Sequence, residues 1–359
     1  MKRKFPRKIK RVVIKVGSSV IATDLMKPRD DQLKRLVGQI VKLKSKGIEV
    51  VLVSSGAIAL GMGVLGKKKR SPDLSVLQTL AAVGQTALMN KYNELFKKKK
   101  THCAQLLLTW DDFDNRTRFN NVRNTIQAMF NENLVPIVNE NDTISTDEIK
   151  FGDNDKLSAL VASLVNADLL LILSDVDGLY DLDKKVFNEI KEITTEIRSV
   201  ASGTSKKQLA KGGMSAKLEA VNITAHAKIP SVIANGETKD VILRVVNAER
   251  IGTLFIEKDK KVLARKHWIS FGAKPKGTLV VDDGAKKVLL TGGKSLLLVG
   301  VSNWDGHFKN GDIVIVADKK GNEIGRGISN YSSTALNNIL DKKGQPEAIH
   351  VDDLVLGER

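Results

Sequence analysis

Three observations predict an α/β fold, in which helices sandwich an open, mostly parallel sheet, followed by a small β-rich barrel. The first 255 residues alternate short β-branched runs with longer segments whose apolar side chains recur at three- and four-residue spacing; this is the signature of strand–helix–strand units. Several of the short runs are apolar on both faces, as strands lying between two helical layers must be. Near Glu257–Lys276 the helical period gives way to a lysine-rich stretch, and beyond it short strands are separated by glycine turns. At 359 residues the chain suits two domains, taking about 150 residues per domain as a prior. The expected division is 1–258 for the α/β domain, 259–276 for a linker and 277–359 for the barrel.

In chain order, Arg11–Val16, Ile48–Ser54, Cys103–Leu108, Leu134–Val138, Asp168–Leu173 and Pro230–Ala234 read as strands. The segments Asp30–Lys46, Leu74–Phe96, Arg116–Asn131 and Lys156–Asn166 read as helices. In the barrel, Thr278–Val281, Leu296–Val301 and Asp312–Ala317 read as strands and Ser333–Leu340 as a helix. Ligands of open α/β sheets sit beyond the carboxyl ends of the strands, so chemistry is sought in the residues just after each one.

Composition removes whole classes of function. Hydrophobic residues make up 42% and charged residues 28%, enough apolar surface to bury a core, which excludes a disordered, collagen-like or coiled-coil chain. A lone cysteine, Cys103, excludes a disulfide framework and a zinc cluster, and reads as a small core residue. The basic N-terminus is followed only by Val12-Val13-Ile14 before Lys15, too short for a signal-peptide core. No uninterrupted apolar run exceeds that of Leu169–Leu173, far below the ~18 residues of a membrane helix, so a cytoplasmic location is expected. The formal charge is +17, but residues 277–359 hold ten Lys/Arg against eleven Asp/Glu. The excess lies in short runs: seven basic residues within 1–11, four at Lys67–Arg70 and four at Lys97–Lys100. These read as solvated surface that also steers anions.

After the first strand comes Lys15-Val16-Gly17-Ser18-Ser19, where a glycine lets backbone N–H groups approach an anion and a lysine can point its charge there. After the second, Ser54-Ser55-Gly56-Ala57-Ile58 leads small residues into a helix N-terminus, which favours a carboxylate or phosphate. Gly61-Met62-Gly63-Val64-Leu65-Gly66 matches a dinucleotide fingerprint by letter but starts seven residues too late, and reads as a flexible helix end. The fourth strand runs into Asn139-Glu140-Asn141-Asp142-Thr143, and twelve residues on come Gly152-Asp153-Asn154-Asp155 and Leu157. Two such clusters at one helix start call for a ligand, and Asn amides suit an ammonium and a carboxylate together. The fifth ends in Ser174-Asp175-Val176-Asp177-Gly178, a turn suited to a base or ribose, and Lys211–Lys217 opens a further helix. Its apolar stripe is Met214, Leu218, Val221 and Ala225, with Lys217 off it.

No Walker A motif occurs, because Val288 stands where the glycine paired with Gly293-Lys294-Ser295 is required. The histidines 102, 226, 267, 307 and 350 lack metal-ligand spacing, and no Gly-x-Ser-x-Gly elbow exists. Lysines near both ends of the sheet, glycine turns and acidic amide clusters suggest phosphoryl transfer, which depends on positioning and charge neutralisation.

In this order the motifs 15–19, 54–58, 138–142, 152–155 with Leu157-Ser158-Ala159, and Gly212-Gly213-Met214 with Lys217 resemble the amino-acid kinase superfamily and, within it, the glutamate 5-kinase family. The trailing segment is similar to PUA domains, through Val281-Asp282-Asp283-Gly284-Ala285 and Gly325-Arg326-Gly327. The resemblance implies that ATP, accompanied by Mg²⁺, phosphorylates the side-chain carboxylate of L-glutamate in the first step of proline biosynthesis. It implies that Lys15 and Lys217 neutralise the transferring phosphoryl group and that Asp155 holds them. Ser55, Asn139, Asp142, Asp153 and Asn154 would bind glutamate; Lys15, Ser174, Asp175 and the run Lys211, Gly212, Gly213, Met214, Ser215, Ala216 and Lys217 would bind ATP. Feedback by proline and a homo-oligomer, dimer or tetramer, are expected on the same ground. One departure stands out: Lys211 occupies a position where threonine is usual. A carboxylate of pKa about 4.3 is already ionised, so no general base is required. Each lysine about 4 Å from the phosphoryl group would offset repulsion by roughly 4 kcal/mol before desolvation. The alternatives are a sister kinase acting on acetylglutamate, aspartate or UMP, and an RNA-binding protein using the PUA-like domain; the net charge of that segment argues against RNA.

Overall fold

In a computed structural model the chain is described over residues 3–23, 26–144, 154–203, 213–256, 269, 275–337 and 347–356. It divides into two compact units, one of residues 1–112 and 119–261, the other of residues 113–118 and 262–359. Among the described residues no helix is long and apolar enough to cross a membrane.

From Arg11 to Phe255 the chain runs β1 (Arg11–Val16), α1 (Ser18–Ile21), α2 (Asp30–Lys44), β2 (Glu49–Ser54), α3 (Ala57–Val64), α4 (Leu74–Lys97), β3 (Cys103–Leu108), α5 (Asp111–Asp114), α6 (Arg116–Asn131), β4 (Val135–Glu140), α7 (Asn154–Leu164), β5 (Leu169–Ser174), β6 (Glu189–Ile190), α8 (Thr195–Gly203), α9 (Met214–His226), β7 (Ser231–Asn235), α10 (Val241–Val246) and β8 (Thr253–Phe255). The sheet order is β3-β4-β2-β1-β5-β7-β8-β6, and only the β7–β8 pair is antiparallel. The strand β1 lies between β2 and β5, with Lys15 in register with Val53 and Ile172. From β1 the chain first builds outward to one side through β2 and later to the other through β5, so the strand order reverses at β1, where such sheets bind ligands.

Side chains alternate across a strand. Val12, Ile14 and Val16 join the main core with Leu36 and Ile40 of α2, Leu88 and Tyr92 of α4 and Ile242 of α10. Val13 and Lys15 therefore face the other side, where α7 packs on β1 and β5 and against α9. The helix α2 is started by Asp30 and Asp31 in its first turn and finished by Lys42 and Lys44 in its last, charges that complement its dipole. The helix α4 is capped by Asp73, whose carboxylate accepts from Ser75 N (2.8 Å) and Val76 N (3.4 Å).

The second unit contains a five-stranded sheet ordered β10-β9-β11-β12-β13, with β9 (Gly277–Val281), β10 (Val301–Gly306), β11 (Ile313–Asp318), β12 (Glu323–Ile328) and β13 (Leu354–Leu356). Its core gathers Leu279, Val281, Leu296, Phe308, Val314, Val316, Ile349 and neighbours.

Two sequence readings are corrected. Leu296–Val301 is not a strand: Leu298–Gly300 is a 3₁₀ turn, and the strand starts at Val301 and runs to Gly306. Leu296 and Leu298 are buried while Leu297 and Val299 are exposed, which imitates strand alternation. The actual strand, an edge bearing Ser302, Asn303 and Asp305, has no apolar period to betray it. Gly61–Gly66 is not a loose helix end, because Gly61 and Gly63 lie inside α3 and are closely packed. The strands β6, β8, β12 and β13 and the helix Asp283–Leu290 were not expected. Lys15 sits on a central strand, and Lys217 is buried. The described part of the Ser333 helix is Ser333–Leu336, and most of the 259–276 segment lies outside the described residues. Cys103 is half-buried; its thiol donates to Asn93 Oδ1 (3.0 Å), and burial pushes its pKa up to about 11, which disfavours the thiolate at neutral pH.

Candidate active site

Three elements converge on one carboxylate. Lys15 comes from β1, Asp155 from the first turn of α7 and Lys217 from the first turn of α9. Lys15 Nζ lies 2.6 Å from Asp155 Oδ1 as an ion pair, and Lys217 Nζ donates to Asp155 Oδ2 at 3.1 Å. All three side chains are buried, Asp155 to 1% exposure. Burial pushes the Asp155 pKa up, but the two ammonium charges and their hydrogen bonds outweigh it and hold the group below the ordinary carboxylate range. Two cations around one anion leave a surplus positive charge, and the N-termini of two packed helices add their positive ends. An anion is the natural complement.

The neighbouring residue at the start of α7 turns to a second cluster. Asn154 Nδ2 donates to Ser55 Oγ (2.9 Å) and to Asn139 Oδ1 (2.9 Å), and Asn139 Nδ2 donates in turn to Gln85 Oε1 (2.8 Å). Asn139 follows Val135 and Ile137 on the α4 side of β4, which is why a residue of α4 meets it. Ser55 is placed by the turn between β2 and α3, where Gly56 has φ +105°, a conformation open to glycine. Behind Ser55, the buried Tyr92 hydroxyl and Ser54 Oγ share a hydrogen bond (2.9 Å), while Ser54 Oγ also donates to Ser55 O (3.1 Å). Among the described residues, Asn154 Oδ1 and Gln85 Nε2 are buried without a hydrogen-bond partner. Each such group costs about 1–3 kcal/mol, so the buried acceptor on Asn154, at one end of the amide chain, calls for a donor from a ligand.

On the opposite side, Gly213 caps the N-terminus of α9 without a side-chain cap, and Met214, Ser215 and Ala216 form its first turn. Ser174, the last residue of β5, donates to Asp175 Oδ1 (3.0 Å). The following turn is tied down by Asn235 Nδ2 donating to Asp177 Oδ1 (2.9 Å). Asp142 lies in the turn after β4, within electrostatic reach of Arg70. Asp153, Lys211 and Gly212 lie outside the described residues. No described group of three or more His, Cys, Asp or Glu could cage a metal ion.

Sequence reasoning missed Gln85 and Tyr92. Both fall on one stripe of α4 with the buried Ala81 and Leu88, at three- and four-residue spacing, Tyr92 buried and Gln85 half-buried, and a glutamine inside an apolar stripe was the available signal.

Residues 10–235 match the amino acid kinase family, and residues 277–350 match the PUA domain. The chain is 44% identical to the glutamate 5-kinase of Dictyoglomus thermophilum and 43% identical to that of Dictyoglomus turgidum, each over 98% of both chains. It is 42% identical to the glutamate 5-kinase of Thermoanaerobacter sp. strain X514, over 97% of this chain and 98% of that one.

Proposed function

The chain belongs to the amino acid kinase family and, within it, to the glutamate 5-kinases, and from that premise we propose that Lys15, Asp155 and Lys217 are its phosphoryl-transfer centre. The reaction is ATP-dependent phosphorylation of the side-chain carboxylate of L-glutamate, the first step of proline biosynthesis. A carboxylate oxygen forms the new O–P bond to the γ-phosphorus, the bond from that phosphorus to the β,γ-bridging oxygen breaks, and ADP leaves with the electron pair. No proton moves, so the step requires no general base. The obstacle is repulsion between two anions, and the observation that carries the reading is the pair of buried ammonium groups on the two oxygens of one carboxylate. Asp155 keeps both aimed, so they meet the transferring group without reorganising.

Glutamate is held by Ser55, Asn139 and Asn154 of the amide cluster, together with Asp142 and Asp153. ATP lies across Lys15, Ser174, Asp175 and the segment Lys211–Lys217, where the α9 N-terminus favours phosphate. Lys211 replaces a usual threonine there and would meet phosphate through its charge. Mg²⁺ travels with ATP, and the lack of an acidic cage among the described residues suits an ion held mainly by phosphate and water. When bound, it neutralises phosphate charge. Cytoplasmic location, a homo-oligomer and feedback by proline, which shares the α-carboxylate of glutamate, complete the reading.

The test is ADP release with L-glutamate, acetylglutamate, aspartate and UMP in turn, in the wild type and in Lys217→Ala. Turnover with glutamate is expected, falling at least 100-fold in the variant while glutamate still binds. Survival of turnover within tenfold removes Lys217 from the centre, and turnover only with UMP or acetylglutamate overturns the substrate.

A further inference from the structure

We propose that Gln85 is a positioning residue for the substrate's amino group, acting through Asn139 and Asn154; this rests on glutamate being the substrate. An amide has one acceptor end and one donor end, so fixing either end of a chain of amides fixes them all. Gln85 Oε1 accepts from Asn139 Nδ2, which turns Asn139 Oδ1 toward α7. That oxygen accepts from Asn154 Nδ2, which also donates to Ser55 Oγ. With both hydrogens of Asn154 Nδ2 engaged, its Oδ1 is the end left over, and it is buried without a described partner. An acceptor in that state suits a cation with N–H donors, and the ammonium of an α-amino acid is the cation this substrate carries. Gln85 sits at the far end of the chain, half-buried on the face of α4 that carries the buried Ala81, Leu88 and Tyr92. Its own Nε2 is also buried and unpartnered among the described residues, so glutamine is the wrong choice for stability alone. The gain must lie elsewhere, in holding the polarity of the chain so that Asn154 presents oxygen rather than nitrogen.

Gln85→Met keeps the volume and removes the acceptor, freeing Asn139 and then Asn154 to turn. The enzyme is assayed for glutamate and ATP KM, for kcat, for thermal stability, and for competitive inhibition by glutarate, which has both carboxylates and no ammonium. In Gln85→Met the glutamate KM is expected to rise about tenfold, equivalent to about 1.4 kcal/mol. The ATP KM and kcat stay within about twofold, Tm does not fall, and glutarate inhibition is nearly unchanged. Gln85→Glu retains an acceptor for Asn139 and is expected to keep the preference for glutamate over glutarate, its added charge disfavouring the dianion. Equal weakening of glutamate and glutarate, a matching rise in the ATP KM, or no change in either substrate overturns the assignment, as does loss of the preference in Gln85→Glu to the extent seen in Gln85→Met. Wild-type turnover of glutamate is the control: its absence defeats the functional reading, whereas its presence with an indifferent Gln85→Met defeats only the role of Gln85.

Discussion

Asp155 is the residue on which most rests, because it serves two lysines from different elements while buried. Replacing it by Asn keeps the shape and leaves Lys15 and Lys217 facing each other without their counter-charge. Removing one partner of a buried ion pair typically costs about 3–5 kcal/mol, and Asp155→Asn is expected to lose an amount in that range on urea unfolding at pH 7. Turnover should fall at least 100-fold. The acid limb provides a signed check. The folded-state pKa of Asp155 lies below its unfolded value of about 3.9, so its stabilisation is complete above that pH and disappears as the pH falls through the folded value. The stability gap between wild type and Asp155→Asn should be constant from pH 7 to about 5 and close below about pH 4. A gap that stayed open there, or was absent at pH 7, would mean the carboxylate does not hold the lysines by charge.

At the scale of elements, the substrate side depends on how closely α3 meets α4. A Cβ on Gly84 would stand 1.7 Å from Ala57 O and 2.5 Å from Gly61 N, and one on Gly61 would stand 1.9 Å from Leu80 O. These obstacles are backbone atoms and cannot swing aside, so the two helices touch main chain to main chain. Contact this close brings the Ser55–Ala57 turn beside the helix that carries Gln85 and Tyr92. Gly84→Ala is expected to cost about 3 kcal/mol, the upper end for overpacking, with Tm lowered by roughly 6–12 °C. Gly38→Ala, inside α2 with nothing within 4 Å, should instead stabilise by about 0.5–1 kcal/mol. Differential scanning calorimetry of both variants decides; a neutral Gly84→Ala would show that the helices can part freely. The same contact explains what the sequence could and could not reveal. Strands such as Cys103–Leu108 and helices such as Arg116–Asn131 are legible because their period is local. Gly61 looks like a loose helix end because its partner lies on another helix about twenty residues away. The edge strand Val301–Gly306 is polar and hides, and Lys217 alone reads as a solvated lysine until Asp155 is placed beside it.

For the whole molecule, the question is what a formal charge of +17 does. The segment 277–359 contributes none of the excess, and three of its ten cations stand beside carboxylates: Lys286 pairs with Asp318 (2.7 Å), Arg326 with Glu323 (2.7 Å) and Lys319 approaches Asp283 (4.0 Å). The exposed lysines of Lys67–Lys69 and Lys97–Lys100 belong instead to the unit that holds the candidate active site. Their field reaches about 10 Å at 0.1 M salt, enough to raise the local concentration of an anion such as ATP but not to read a sequence. Any RNA binding by this chain should therefore follow those runs and be non-specific. Fluorescence anisotropy with a single-stranded oligonucleotide at 50–200 mM salt tests this. Replacing Lys67–Lys69, Lys99 and Lys100 by Gln should reduce the salt slope by about 0.7 for each lysine that had met a phosphate. Replacing Lys287, Lys294 and Lys309 should leave it unchanged, because they lie in a nearly neutral segment. The reverse pattern, with the slope lost only on changing residues 287, 294 and 309, would give the PUA domain a nucleic-acid role that its charge does not support.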